Sequence, residues 1–425
     1  MSEPTLAAPV LVRVQAVQRR TLLVLSASQV IGGVGQAIGI AVGSLLAAEI
    51  AGTAAVAGLA STSSVLGAAL LAVPVSRVMS SSGRRAGLVV GYAAAVLGAA
   101  LVVVAAYADS LTLMLVGMFL FGGGTTAGFQ ARFGATDLAE PHRRGQALSL
   151  VVWATTIGAV LGPNLSQPSG SLAQALGLAR LGGPFLISAV LFALAALFVA
   201  VLLRPDPLLL SRELTPDVQE PSGSRRSSIR QSLSAIVSTS DGRLGLLAVV
   251  VSHSVMVAVM VLSPIHLGHG GATLTVIGVV ISVHIAGMFA LSPVVGWLAD
   301  RLGRRRTVLI GASVLAVAVV VAGTAPADRS AQVGVGLFLL GLGWSFGLIA
   351  GSTLVTESVP AGIRPQAQGA SDLTMGLCAA LAGALAGPIL DLGGYGGLNL
   401  VAGVIVVPLL FVALRGVLSP GHGTA

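Results

Sequence analysis

The chain has 425 residues, of which 55% are hydrophobic and only 9% charged, against roughly a quarter charged in an ordinary soluble domain. Most of its surface therefore cannot face water, which excludes a soluble protein and makes the lipid bilayer its first partner. The net charge of +8 rests on Arg alone, with no Lys; in so apolar a chain Arg marks cytoplasmic loops, and no nucleic-acid partner is expected. The single Cys378 rules out an intramolecular disulfide.

A hydrocarbon core of about 30 Å takes roughly 20 apolar residues per helix. That ruler predicts an all-α integral membrane protein with about twelve spans, at 21–46, 54–76, 86–107, 110–133, 146–166, 181–203, 243–267, 273–299, 306–324, 332–355, 367–389 and 395–414. The first follows Arg13, Arg19 and Arg20 and exceeds the roughly 7–15 apolar residues of a signal-peptide core, so it is read as a retained span. Span four carries Met114 and Met118 and closes on Arg132 and Asp137, which are near enough in sequence to pair. In span five, "GAVLGP" holds Gly158, Gly162 and Pro163; small residues permit close helix packing and Pro bends the helix, here expected at an interface between halves.

Spans one to six make residues 1–203 a first half, and 204–242, rich in Pro, Ser and Arg, reads as a mobile cytoplasmic linker to a second half at 243–425. With both termini inside, only Arg180 and Arg329 fall outside, which orients the chain by the positive-inside rule. The halves echo each other. "GAVLGP" matches "GALAGP" at 383–388, and "SSSGRR" at 80–85 matches "DRLGRRR" at 300–306, so one six-helix unit is read as duplicated in parallel.

In span seven, His253, Met256 and Met260 lie along one helical face, and in span eight His284 and Met288 share another, both near mid-depth. Transporter sites lie at about that depth. Thioethers with imidazole suit Cu(I) as a transported ion, although Met also fills gaps in cores. His266 and His269, in "SPIHLGHGG", read as loop residues. Asp137 and Asp372 lie near the inner ends of spans four and eleven and need a partner or water there. With His284, they are the candidates for proton coupling. In span ten, "GWSFG" fits GxSxG, but Ser345 falls inside a helix, where the strand–turn–helix elbow of a hydrolase cannot form. No enzyme is expected. Span eleven carries the second packing motif, with Gly383, Gly387 and Pro388.

The loop after span eight, "GWLADRLGRRR", resembles the signature of the major facilitator superfamily through Gly296, Asp300, Arg301, Gly303, Arg304 and Arg305. With the twelve spans and the repeat, the resemblance covers the whole chain. It implies a monomeric secondary transporter of the cytoplasmic membrane, without a resident cofactor, whose six-helix halves rock about a midplane site. It also implies that Asp300 faces the start of span five, around 143–146, and locks the inner face in an outward-open state. The first-half copy has Ser80 in place of the acid, which leaves span eleven without a symmetrical partner. MxxxM on span seven and HxxxM on span eight are similar to the superfamily's copper-importing branch. The rival cargo is a drug or other lipophilic compound exported by proton antiport, in a pocket that would include Phe289, Trp344 and Phe346.

Overall fold

A computed structural model describes residues 8–53, 57–175, 179–214 and 228–418. Among the described residues the regular structure is helical throughout, as hydrocarbon demands of an open chain, because a helix satisfies its own backbone N–H and C=O groups. The first half holds α1 (Ala8–Ala51), α2 (Ala57–Ala108), α3 (Leu111–Gly134), α4 (Arg144–Ala175) and α5 (Gly183–Leu202). Two short helices follow, α6 (Pro207–Leu214) and α7 (Ile229–Val237). The second half holds α8 (Ser240–His269), α9 (Leu274–Phe289), α10 (Ser292–Leu302), α11 (Arg304–Gly323), α12 (Ser330–Glu357) and α13 (Arg364–Leu418).

Among the described residues, ten helical stretches are long and apolar enough to cross a membrane. Two of them, α2 with 52 residues and α13 with 55, would run about 80 Å at 1.5 Å per residue, far beyond one crossing. Each doubles back at a glycine, Gly83 at φ 89° and Gly394 at φ 65°, a backbone region closed to most side chains. Counting each as two gives the twelve spans. The reversal at Gly83 recurs 220 residues later at Gly303, with φ 90° between α10 and α11, so the duplication is written in the backbone as well.

Three expected boundaries need correction. Span one runs from Ala8, well before residue 21, because no Gly or Pro breaks the Arg-bearing turn that precedes its apolar stretch. Span eight is two helices, since Pro293 opens α10 and cannot extend α9: it lacks an N–H and its ring crowds the carbonyl one turn back. The described parts of the 204–242 linker are largely helical. There α6 is pinned by Arg212, whose Nη1 donates to Ser80 O at 2.8 Å. A capping box of Ser228 and Gln231 starts α7, and residues 215–227 lie outside the description.

Each half has its own core. Leu25, Tyr92, Phe121, Phe185 and Phe192 anchor the first, and Val249, Leu315, Leu337, Trp344 and Leu398 the second. The halves meet chiefly where α10 packs on α4 and α2 on α13, with a central cavity between them. Leucines such as Leu400 and Leu392 stand exposed on the outside, where a bilayer replaces water as solvent.

Candidate functional site

A cavity of about 240 Å³ lies between the halves, walled by Ile40 of α1, Ser64 of α2, Thr125 and Phe129 of α3, His253 of α8, and Asp372 and Met375 of α13. Its lining is mostly apolar. The acid comes from α13, eight residues after the helix starts at Arg364, hence about 12 Å along its axis. Such a buried carboxylate must be paired, and its partner crosses the interface: Arg132 Nη2 donates to Asp372 Oδ1 at 2.6 Å. Arg132 Nε also donates to Ser352 Oγ of α12 at 3.3 Å, so one α3 guanidinium ties two helices of the other half. Gln130 Nε2 donates to Asp372 Oδ2 at 2.8 Å, while Gln130 Oε1 is buried without a partner among the described residues.

The expected pairing of Arg132 with Asp137 is therefore corrected. Asp137 is held instead by Arg84, Nε to Oδ2 at 2.8 Å and Nη2 to Oδ1 at 3.0 Å. Arg132 sits one helical turn earlier, facing the interface rather than the loop. Gln130 and Arg132 are the functional candidates that sequence reasoning missed or misassigned. The available signal was an Arg and a Gln two residues apart inside an apolar span, a placement that calls for a buried partner.

The His and Met residues do not converge. α8 and α9 pack along α12 rather than against each other. His253 opens on the cavity and accepts the indole N–H of Trp344 on Nδ1 at 2.9 Å. Met256 is buried in the second core and Met260 packs against it. His284 is fully buried, with Nδ1 2.7 Å from Leu337 O and Nε2 unpartnered among the described residues. Met288 packs near Gly341 of α12. Among the described residues no three His, Cys, Asp or Glu cluster as metal ligands. His266 stacks on Tyr395 at 4.1 Å and its Nε2 lies 3.1 Å from Ala325 O, whereas His269 is exposed. The aromatic residues expected to line an exporter's pocket lie behind the wall: Trp344 is 1% exposed, Phe289 stacks edge-on against it, and Phe346 is buried. The cavity's own aromatic residue is Phe129.

At the Arg-rich end the halves are tied twice. Asp300 accepts the backbone N–H groups of Gly145 at 2.9 Å and Gln146 at 2.8 Å, at the positive N-terminus of α4, where a carboxylate is favoured. Arg304 bonds Asp300 at 3.1 Å and Glu357 at 3.3 Å and reaches Pro141 O. The rest of the loop stays within its own half. Arg301 lies over the Trp297 ring, and Arg305 Nε meets Asp241 at 2.6 Å. Gly296 lets α10 approach Ser149 closely. In the mirror position Ser80 Oγ accepts from Gln366 Nε2 at 2.6 Å, so the first-half copy does have a partner on span eleven. The two packing motifs differ. A Cβ at Gly158 would come within 2.6 Å of the Gly33 backbone, so this motif packs on α1 of its own half rather than between halves; Gly162 faces Ala37 of the same helix, and Pro163 lies within α4. Among the described residues a Cβ at Gly383 would meet Val257 at 3.3 Å, and one at Gly387 would meet no packed neighbour within 4 Å; Pro388 sits inside α13.

The sequence profile of the Major Facilitator Superfamily matches residues 24–270 and 244–424. The chain is 37% identical over 403 residues to the uncharacterized MFS-type transporter YdeG of Bacillus subtilis, covering 94% of this chain and 92% of that protein. It is 30% identical to the riboflavin transporter RfnT of Brucella anthropi, with coverage of 92% and 95%. Among solved structures, the human organic anion transporter MFSD10 matches with a TM-score of 0.74 at 16% identity, over 93% of this chain and 99% of that one. The proton:xylose symporter XylE matches at 0.73 and 16%, over 96% of both. Twelve spans, a duplicated six-helix unit and a cavity between its copies agree with these matches: the chain belongs to the major facilitator superfamily and is a multi-pass membrane transporter of small solutes.

Proposed function

We propose that the protein couples protons to the movement of a small organic solute bound in the central cavity. The observation that carries the reading is that Asp372 is at once a wall of the cavity and the acid of an ion pair between the halves. Protonation of Asp372 removes the charge that holds Arg132, and with it a link from α3 to α13. Gln130 can follow the change, since an amide that donates to a carboxylate can turn its free Oε1 to accept from the carboxylic acid. The Arg-rich end, with both termini, faces the cytoplasm of the cell that carries the protein in its plasma membrane. The Asp300 contact with α4 holds that end closed while the cavity loads from outside.

An organic cargo is favoured over Cu(I), because the thioethers and imidazoles expected to bind copper are divided among separate contacts with α12 and the core. Riboflavin, the solute in one relative's name, is the first compound to try. In proteoliposomes, riboflavin flux should rise with an imposed pH gradient, and riboflavin addition should move protons read by an internal dye. Asp372→Asn, paired with Arg132→Gln to avoid stranding a buried charge, should still bind the flavin but lose the gradient dependence. Gradient-driven flux that survives this double change removes Asp372 from the coupling role. Wild-type flux indifferent to pH overturns proton coupling.

A further inference from the structure

We infer that His253 is a fixed hydrogen-bond donor of the solute site, so that the solute carries a carbonyl, carboxylate or ring-nitrogen acceptor against its Nε2–H; this rests on the cavity being the transport site. The argument begins with Trp344. Its indole Nε1–H can only donate, and it lies 2.9 Å from His253 Nδ1. That nitrogen must therefore present a lone pair, which leaves the ring proton of the neutral imidazole on Nε2. Trp344 is itself fixed, 1% exposed and edge-on to Phe289 at 5.4 Å between centroids. On the other side the imidazole meets Phe129 edge-on at 6.1 Å. The ring is thus held in orientation as well as in tautomer.

The bond fixes the neutral form, since an imidazolium, protonated on both nitrogens, would have no lone pair for Trp344; Arg132 lies 4.9 Å over Phe129, the ring that meets the imidazole edge-on. Asp372, the acid that shares the cavity wall, has both oxygens engaged by Arg132 and Gln130. His253 Nε2 has no partner among the described residues, and its half-buried ring lines the cavity. The neighbouring hydroxyls of Ser64 and Thr125 have no partner there either and can adapt to donor or acceptor. Against walls of Val, Ala, Ile and Met, one fixed donor sets orientation in the manner of ligand sites with a few placed polar groups.

Two measurements test this in the full-length protein. Imidazole ¹⁵N shifts of the wild type should place the proton on Nε2 at neutral pH, and Trp344→Phe should release that preference. A proton found on Nδ1, or on both nitrogens, overturns the inference. For binding, the probe is radiolabelled riboflavin on purified protein. His253→Phe, which keeps a ring and loses the donor, should weaken binding about tenfold, as loss of one buried hydrogen bond does. His253→Gln, whose amide N–H reaches near the Nε2 position, should stay within about threefold. Equal binding by wild type and His253→Phe refutes the donor role and leaves the transport reading standing. Failure of the wild type itself to bind riboflavin removes the flavin from the proposed function and the acceptor assignment with it. Unchanged gel-filtration profiles establish that each variant folds.

Discussion

The two ties at the Arg-rich end occupy equivalent positions of the duplicated unit and use different chemistry. On one side Asp300 caps α4, and Arg304 spreads over Asp300 and Glu357, with side chains 14% and 27% exposed at the Arg304–Glu357 pair. On the other, 220 residues earlier, Ser80 stands for the acid and takes a neutral bond from Gln366, and Arg84 gives itself to Asp137 and Gln368. Its side chain is 0% exposed and that of Asp137 only 3%. Once the acid is lost from the loop, the equivalent Arg has one anion left, and both are drawn out of water. Pseudo-symmetry conserves which positions meet. It does not conserve what the meeting is worth.

The sharpest break in that comparison is Arg84→Met. It takes from the buried Asp137 its ion-pair partner, which costs about 3–5 kcal/mol, whereas Arg304→Met leaves Asp300 its two backbone donors and should cost less, about 1 kcal/mol. Thermal unfolding in detergent checks the pair; equal losses would mean that burial does not separate the two copies. Next in size, Asp300→Ala removes two charge-assisted bonds to the α4 N-terminus and should shift the gate toward inner-open by about 2 kcal/mol. Spin labels at His142 and Arg306 should then report longer distances across the α4–α10 contact, and an unchanged distribution would deny Asp300 its locking role. Smallest is the reverse exchange, Ser80→Asp, which gives α13 the acidic cap that α4 has. A gain of about 0.5–1 kcal/mol is expected for the closed α2–α13 contact, read as a narrower distance distribution there. A loss would show that the site is too dry to hold a second acid beside Asp137.

Residue by residue, legibility follows the range of the interaction. The position of Asp300 against α4 is readable because the loop motif fixes its neighbours and the repeat fixes where span five must lie. The partner of Ser80 is not legible in sequence, because a serine carries no charge by which to infer one. Five residues of separation suggest Asp137 as the partner of Arg132, and the fold supplies one 240 positions away. The spacing of His253 to Met256 and Met260 suggests a metal ligand, since periodicity reports a shared face and says nothing of Trp344, which arrives from another helix.

Sequence by itself determined the membrane class, the twelve crossings, the duplication and the family. Each of these rests on a one-dimensional quantity: apolar length set by bilayer thickness, or a motif recurring at a fixed offset. Only the tertiary structure decided which Arg meets which Asp, which imidazole nitrogen is free, and which residues wall the cavity. Those pairings join helices from different parts of the chain across an interface between halves, where geometry is set by how two packed bodies dock, and no local pattern encodes it.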